Sequence, residues 1–220
     1  MKNILSPAAA AALVPDGAVL MIGGFMGVGT PERLIDALVL AGAKNLTVIA
    51  NDTARPGIGI GKLIDARLVS KVIASHIGTN PETQRQMIAG EIAVELVPQG
   101  SLAERVRAGG HGLGGVLTPT GLGTPAEEGK IKLDVEGATY LVEVALKADF
   151  ALIAAKHADY DGNLDYAFTA RNFNPLMAMA GATVIAEAQD IVPVGTLSPD
   201  QIVTPHVLVD HLVAKEMRHG

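Results

Sequence analysis

Val19-Leu20-Met21-Ile22-Gly23-Gly24-Phe25-Met26-Gly27-Val28-Gly29-Thr30-Pro31-Glu32-Arg33 is the stretch on which the fold turns. The apolar run Val19 to Ile22 enters a glycine-rich bend and leaves through Thr30-Pro31 into residues spaced for a helix, so the segment reads strand, glycine loop, helix. Thr30 offers its hydroxyl to a free amide of the first turn, and Pro31 stands where a missing N–H costs nothing. The helix is predicted over Pro31 to Ala41, with Leu34, Ile35, Leu38 and Val39 on or near one face and Gly42 as its stop. Glycines let backbone amides approach a ligand closely, and a helix N-terminus carries partial positive charge, so an anionic group is the expected guest. The competing use of the same glycines is close packing of backbone on backbone. With no lysine the bend is not a phosphate-cradling NTPase loop, and the order Gly24-x-x-Gly27-x-Gly29 is not that of a dinucleotide fold.

Outward from this unit the pattern repeats. Ser6-Pro7, Asn80-Pro81, Asn174-Pro175 and Ser198-Pro199, like Thr30-Pro31, each set a capping side chain before a proline and mark a helix start. The first opens an alanine-rich helix to Val14, closed by the turn Pro15-Asp16-Gly17. Leu46 to Ala50 reads as a buried strand ending at Asn51-Asp52, followed by a short helix around Leu63 and Ile64. Val72 to Ser75 is the next strand, then a helix from Asn80-Pro81 to near Gly90 and a strand from Ile92 to Val97. Ser101-x-x-Glu104 is a capping box for the helix carrying Arg105 and Arg107. Strands and helices in alternation predict an α/β fold, an open, mostly parallel sheet with helices on both faces.

Gly109 to Gly129 is rich in glycine and threonine and reads as a long loop. Residues 130–147 alternate around Glu136-Gly137 and read as a small inserted β-hairpin or flap within one domain spanning 1–220. Phe150 to Ala155 and Leu164 to Thr169 are strands about the turn Asp159 to Asn163, and Thr183 to Ala186 resumes the sheet. His206 to Val213 is either a strand or a short helix.

Across 220 residues, 49% are hydrophobic and only 3% aromatic, which predicts an aliphatic core large enough for one sizeable domain. The formal charge of -6 argues against a nucleic-acid partner. With no cysteine, disulfides and thiolate chemistry are excluded. The alanine-rich start reads as a capped helix rather than a secretory signal, and no apolar run reaches the ~18 residues that span a bilayer, so the chain is expected to be cytoplasmic and off the membrane.

The six histidines, His76, His111, His157, His206, His211 and His219, show no H-x-x-x-H pair, and no metal is expected. Asp159-x-Asp161-x-Asn163 lacks the glycine and glutamate of a calcium loop and reads as a turn. In a parallel sheet the carboxyl ends of the strands converge on one crevice, so Gly24 to Thr30, Asn51-Asp52, Ser75-His76 and Pro98-Gln99 are expected along one edge. The alternative is that Asn51 and Asp52 only cap a turn and that Gln99 faces solvent.

The words themselves carry more. D-G-A-V-L-M-I-G-G-F-M-G-V-G-T-P at Asp16 to Pro31, I-A-N-D-T at Ile49 to Thr53, V-P-Q-G-S-L-A-E-R-V-R-A-G-G at Val97 to Gly110, P-T-G-L-G-T at Pro119 to Thr124 and A-R-N-F-N-P at Ala170 to Pro175 closely resemble, in order, the family I CoA-transferases, in particular their α subunits. The resemblance implies a chemistry in which a glutamate attacks an acyl-CoA thioester, passes through an enzyme-bound anhydride and a glutamyl-CoA thioester, and hands CoA to a carboxylate. It implies coenzyme A as substrate and no tightly bound cofactor. That glutamate belongs to a β subunit, in a Ser-Glu-Asn-Gly motif absent from this chain, so a heteromer, α2β2, is implied. By the same resemblance Gly24, Phe25, Met26, Gly27, Val28, Gly29 and Thr30 line the CoA or acyl site, and Asn51 and Gln99 position the partner's glutamate or the substrate carboxylate. Asp52 stands where related chains carry asparagine. The alternative from another class is a non-catalytic ligand-binding or sensor module on a related sheet, though no helix-turn-helix precedes Val19.

Overall fold

The computed structural model describes residues 1–214, and His219 lies outside them. In chain order the elements are β1 (Asn3–Leu5), α1 (Pro7–Ala11), β2 (Val19–Ile22), α2 (Glu32–Ala41), β3 (Leu46–Asp52), α3 (Gly61–Asp65), β4 (Val69–His76), α4 (Pro81–Ile88) and β5 (Ala93–Leu96). They continue with α5 (Gln99–Gly110), β6 (Gly115–Thr118), β7 (Lys132–Val135), β8 (Ala138–Val144), β9 (Ala148–Asp159), β10 (Leu164–Asp165), α6 (Asn174–Ala180), β11 (Gly181–Val192) and β12 (His211–Val213).

The main sheet runs β1-β12-β11-β9-β2-β3-β4-β5, with β10 paired to β9. Every neighbour along that path is parallel, and β10 alone is antiparallel. Parallel strands need both faces covered, and successive residues of β2 show how: Leu20 and Ile22 join the cluster with Leu34, Ile35, Leu38 and Leu63, while Met21 joins Leu102, Val106, Phe173 and Met177. So α1 to α3 cover one face, and α5 and α6 the other. From β2 the chain adds β3, β4 and β5 on one side, whereas β9, β11, β12 and β1 lie on the other. The order therefore reverses between β2 and β9, the place where open α/β sheets leave a crevice beyond the strands' carboxyl ends.

Several helix starts form as read: Ser6 accepts from the Ala9 amide at 3.1 Å, and Asn80 from those of Glu82 and Thr83 at 3.1 and 3.2 Å. Others do not. The cap of α2 is Pro31, with no side-chain bond, and Thr30 instead packs beneath Gly24. The expected box at Ser101 fails because α5 has already begun at Gln99. Ser101 Oγ is left without a partner among the described residues, and Glu104 bonds Arg107 instead. Asn174 lies inside α6 rather than capping it, and Ser198-Pro199 opens only a 3-10 turn. α1 stops at Ala11, and β1 was not foreseen: it exists because β12 offers it a parallel edge.

The loop expected over Gly109 to Gly129 contains β6, which pairs with β8, so the hairpin β7–β8 becomes a three-stranded antiparallel sheet. Glu136-Gly137 forms its turn, with φ of +52° and +81°. Leu164 to Thr169 is a strand only as far as Asp165, and His206 to Val213 is a 3-10 turn followed by β12. Asp159 closes its turn by accepting from the amides of Asp161 and Asn163. No helix among the described residues is long and apolar enough to cross a membrane.

Candidate active site

The carboxyl ends of β2 to β5 do converge, and hydrogen bonds join them. Gln99, opening α5, donates through Nε2 to Asn51 Oδ1 at 2.6 Å. Ser75, near the end of β4, donates to the Asn51 carbonyl at 2.7 Å. Asn51 Nδ2 in turn donates to Asp52 Oδ2 at 2.7 Å, and the same oxygen accepts the Met26 amide of the glycine loop at 2.8 Å. Asp52 Oδ1 takes the Ala54 amide at 2.7 Å. Asn51 and Asp52 are buried, whereas Gln99 is exposed. Gln99 keeps its carbonyl oxygen and second N–H unbonded among the described residues, so it is the end of this line that can meet a reactant. Asp52 is the post to which the glycine loop is tied.

The loop itself is tightly closed: the Phe25 and Val28 amides each donate to the other's carbonyl at 2.9 Å. Its glycines are needed for packing. A Cβ on Gly24 would fall 2.1 Å from Thr30 Oγ1, and one on Gly29 would fall 2.4 Å from Ala170 Cβ and 2.7 Å from its Cα. Asn174 clamps the far side. From its buried place in α6 it donates to the Gly29 and Ala170 carbonyls at 3.0 and 2.9 Å and accepts the Ala154 amide of β9 at 3.0 Å. Beside this loop, after β3, a second one repeats its form: Arg55 and Ile58 bridge as Phe25 and Val28 do.

Of the seven loop residues expected to line a site, Val28, Gly29 and Thr30 border a cleft of about 330 Å³. Gly24, Phe25, Met26 and Gly27 do not: Gly24 lies against Thr30, the Met26 amide bonds Asp52, and Gly27 lies against Ile58. The cleft lies at the switch point, between the loop and the ends of β9 and β11, and is also walled by Arg33, Lys156, Phe168 and Glu187. The anion expected at the start of α2 is the chain's own: Glu187 Oε2 accepts the Leu34 amide at 2.8 Å and lies near Arg33. Burial raises the Glu187 pKa above the ordinary carboxylate value, against the opposing pull of the Leu34 amide and Arg33. Glu32, on the same wall, is engaged by Lys62 at 2.7 Å and by the Gly59 amide at 3.2 Å. Both glutamates of the cleft are thus bound to groups of the chain. Phe168 is 88% exposed and holds a left-handed backbone at φ +52°, a strained state for a non-glycine residue.

Sequence reasoning missed Asn174, Glu187 and Phe168 as parts of this site. Glu187 carried a signal, being an acid within the apolar run of Thr183 to Ala188. Asn174 was visible only as a helix cap, because its partners lie far away in the chain.

The family description "Coenzyme A transferase" matches residues 4–215. The chain is 56% identical over 201 residues to the acetate CoA-transferase subunit alpha of Escherichia coli K12, covering 91% of each. It is 53% identical over 198 residues to the acetoacetyl-CoA:acetate/butyrate CoA transferase alpha subunit of Clostridium acetobutylicum, covering 90% of this chain and 91% of that one. In fold it matches an acyl-CoA transferase from Escherichia coli O157:H7, solved as a thioester complex with CoA, with a TM-score of 0.88 and 24% identity. That match covers 97% of this chain but 47% of the other, so this chain spans about half of that longer polypeptide. With the match running across the described strands and both glycine loops, the chain belongs to the coenzyme A transferase family.

Proposed function

We propose that this chain is the α subunit of a heteromeric CoA-transferase. It moves CoA between a short-chain acyl-CoA (acetoacetyl-CoA, acetyl-CoA or butyryl-CoA) and a carboxylate, with the attacking glutamate lent by a β subunit in an α2β2 assembly of the cytoplasm. The observation that carries the reading is the hydrogen-bonded line Gln99, Asn51, Asp52, Met26, which ties a donor at the sheet's carboxyl edge to the loop beside the cleft. In this reading Gln99 meets the partner's carboxylate or the developing oxyanion, and Asn51, buried and already bonded, orients Gln99 without touching a reactant. A lost donor of this kind costs ~3 kcal/mol in the barrier. The engagement of Glu32 and Glu187 within the chain supports an external nucleophile, and the names of the relatives as alpha subunits support a β partner. Coenzyme A enters as substrate, with no tightly bound cofactor.

The test is acetoacetyl-CoA consumption in the presence of acetate, measured with this chain alone and with its β partner added. Turnover is expected only from the pair. Turnover by the isolated chain would overturn the reading.

A further inference from the structure

The turn between β6 and β7 is held at several points, yet nothing in the proposed chemistry uses it. Thr124 donates to the Gly121 carbonyl at 2.7 Å and accepts the Ala126 amide at 3.2 Å. Glu127 takes the Gly123 amide at 2.7 Å and Lys132 at 3.0 Å. Gly121 fits closely: a Cβ there would fall 3.2 Å from that of Ala126 and 3.3 Å from Leu141 Cδ1. So fixed, the turn faces the carboxyl ends of β4 and β5 across a hollow of about 380 Å³. Leu96, Val97 and Pro98 come from the strand side, Pro125 and Ala126 from the turn, and none of the lining residues is charged. Its two hydroxyls have spent their protons, that of Thr124 on Gly121 and that of Ser75 on the Asn51 carbonyl at 2.7 Å. What remains is an uncharged, mostly apolar surface of the kind that takes an alkyl group.

We propose that this hollow receives the alkyl end of the acyl group or acid, and that Leu96 and Ala126 set the chain length accepted. The proposal rests on the CoA-transferase function given above and specifies where its substrate's chain lies. Position is the first reason. Ser75 Oγ lies 3.2 Å from Asn51 Oδ1, the oxygen that accepts Gln99 Nε2 at 2.6 Å, and Pro98 is the residue before Gln99. A carbonyl held at Gln99 thus has the hollow beside it. Charge is the second reason. The switch-point cleft is walled by Glu32, Arg33, Lys156 and Glu187, and an alkyl chain there would strip water from charged groups. The hollow imposes no such cost. Acetate leaves most of it empty, whereas the two further methylenes of butyrate bury against Leu96, Val97, Pro125 and Ala126.

The test uses the chain together with its β partner and reads the ratio of kcat/KM for butyrate to that for acetate, with acetoacetyl-CoA as donor. Ala126→Leu fills the hollow and is expected to lower that ratio ~10-fold or more, the usual worth of a methylene in an apolar pocket. Leu96→Ala enlarges it and is expected to raise the ratio for hexanoate over butyrate. Ratios unchanged in both variants would overturn the proposal. So would equal losses for every acid, which would mark the hollow as a seat for the β subunit instead. Methyl-labelled alanine and leucine give a readout that needs no turnover. Butyrate, and not acetate, is expected to shift the Ala126 and Leu96 methyl signals of the pair, and unmoved signals would overturn the proposal. A wild-type pair that transfers CoA to neither acid would contradict the proposed function, and the methyl signals would still judge the hollow.

Discussion

Gly29 and Gly57 share a left-handed backbone, with φ of +75° and +74°, yet their surroundings differ. A Cβ on Gly57 meets nothing within 4 Å, whereas one on Gly29 meets Ala170 at 2.4 Å. Gly57→Ala is therefore expected to cost only the backbone term, ~1–2 kcal/mol. Gly29→Ala should cost more, because the loop must also lift from Ala170 and from the Asn174 clamp, and it should depress transfer for that reason rather than by blocking a ligand. Urea unfolding of both variants checks the difference, and equal losses would remove the packing argument. Glu187 makes a pH prediction. Its folded pKa lies above its ordinary value of 4.5 because burial outweighs the Leu34 amide and Arg33. The native state then holds the proton longer than the unfolded one, so this contribution is complete below 4.5 and is lost as pH rises through the folded value. Glu187→Gln keeps an acceptor for Leu34 but cannot titrate. The unfolding free energy of the variant is expected to lack that decline with rising pH, and parallel curves for variant and parent would contradict it.

At the level of elements, α4 is the clearest case of a start written locally and used globally. Asn80 caps the helix through Oδ1, and its Nδ2 also donates to the Thr53 carbonyl at 2.8 Å, joining α4 to the loop after β3. Asn80→Ala is expected to lose about 1 kcal/mol for the cap. It also leaves a buried carbonyl unpaired, so the thermal midpoint should fall further than for Ser6→Ala, whose cap is exposed and has no second bond. The strand-helix alternation from Val19 to Val97 was legible because strands such as β3 are buried on both faces and their apolar runs leave no ambiguity. The gathering of Asn51, Ser75 and Gln99 followed from strand-end logic alone. What escaped was whatever a distant partner decides. β1 exists through β12, β6 exists through β8, and Asn174 reaches from α6 back to Gly29, with no local periodicity to announce any of them. Thr30 and Ser101 failed as caps for the same reason, since Gly24 and the earlier start of α5 claim those positions first.

Over the whole molecule, one chain of charges fastens the small sheet to the large one. Lys71 of β4 pairs with Glu95 of β5 at 3.2 Å, Glu95 accepts from Arg105 of α5 at 2.8 Å, and Arg105 lies 3.9 Å from Glu143 of β8. Glu143 takes Lys130 at 2.5 Å. Burial alone would raise the Glu95 pKa, but the hydrogen bonds from Arg105 and Lys71 outweigh it and hold it below 4.5. Its stabilising share is thus present above 4.5 and is lost as pH falls through the folded value, which loosens the link in acid. Arg105 is the central member, since it bonds Glu95, the Val144 carbonyl and α5 at once. Replacing it with methionine fills the space but removes the bonds to Glu95 and the Val144 carbonyl and the longer contact with the fully buried Glu143, which keeps Lys130; losing hydrogen bonds that involve a charged group costs ~1.5–3 kcal/mol. Arg105→Met is therefore expected to lower stability by about that much and to speed amide hydrogen exchange in β6, β7 and β8 more than in β2, β3 or β9. Adding Glu143→Leu removes the buried carboxylate that has lost part of its counter-charge, so the double variant should recover part of the loss. If the double variant is less stable than Arg105→Met, or if exchange rises evenly across both sheets, the charges do not act as a fastening and the small sheet is held by Leu141 and the backbone bonds alone.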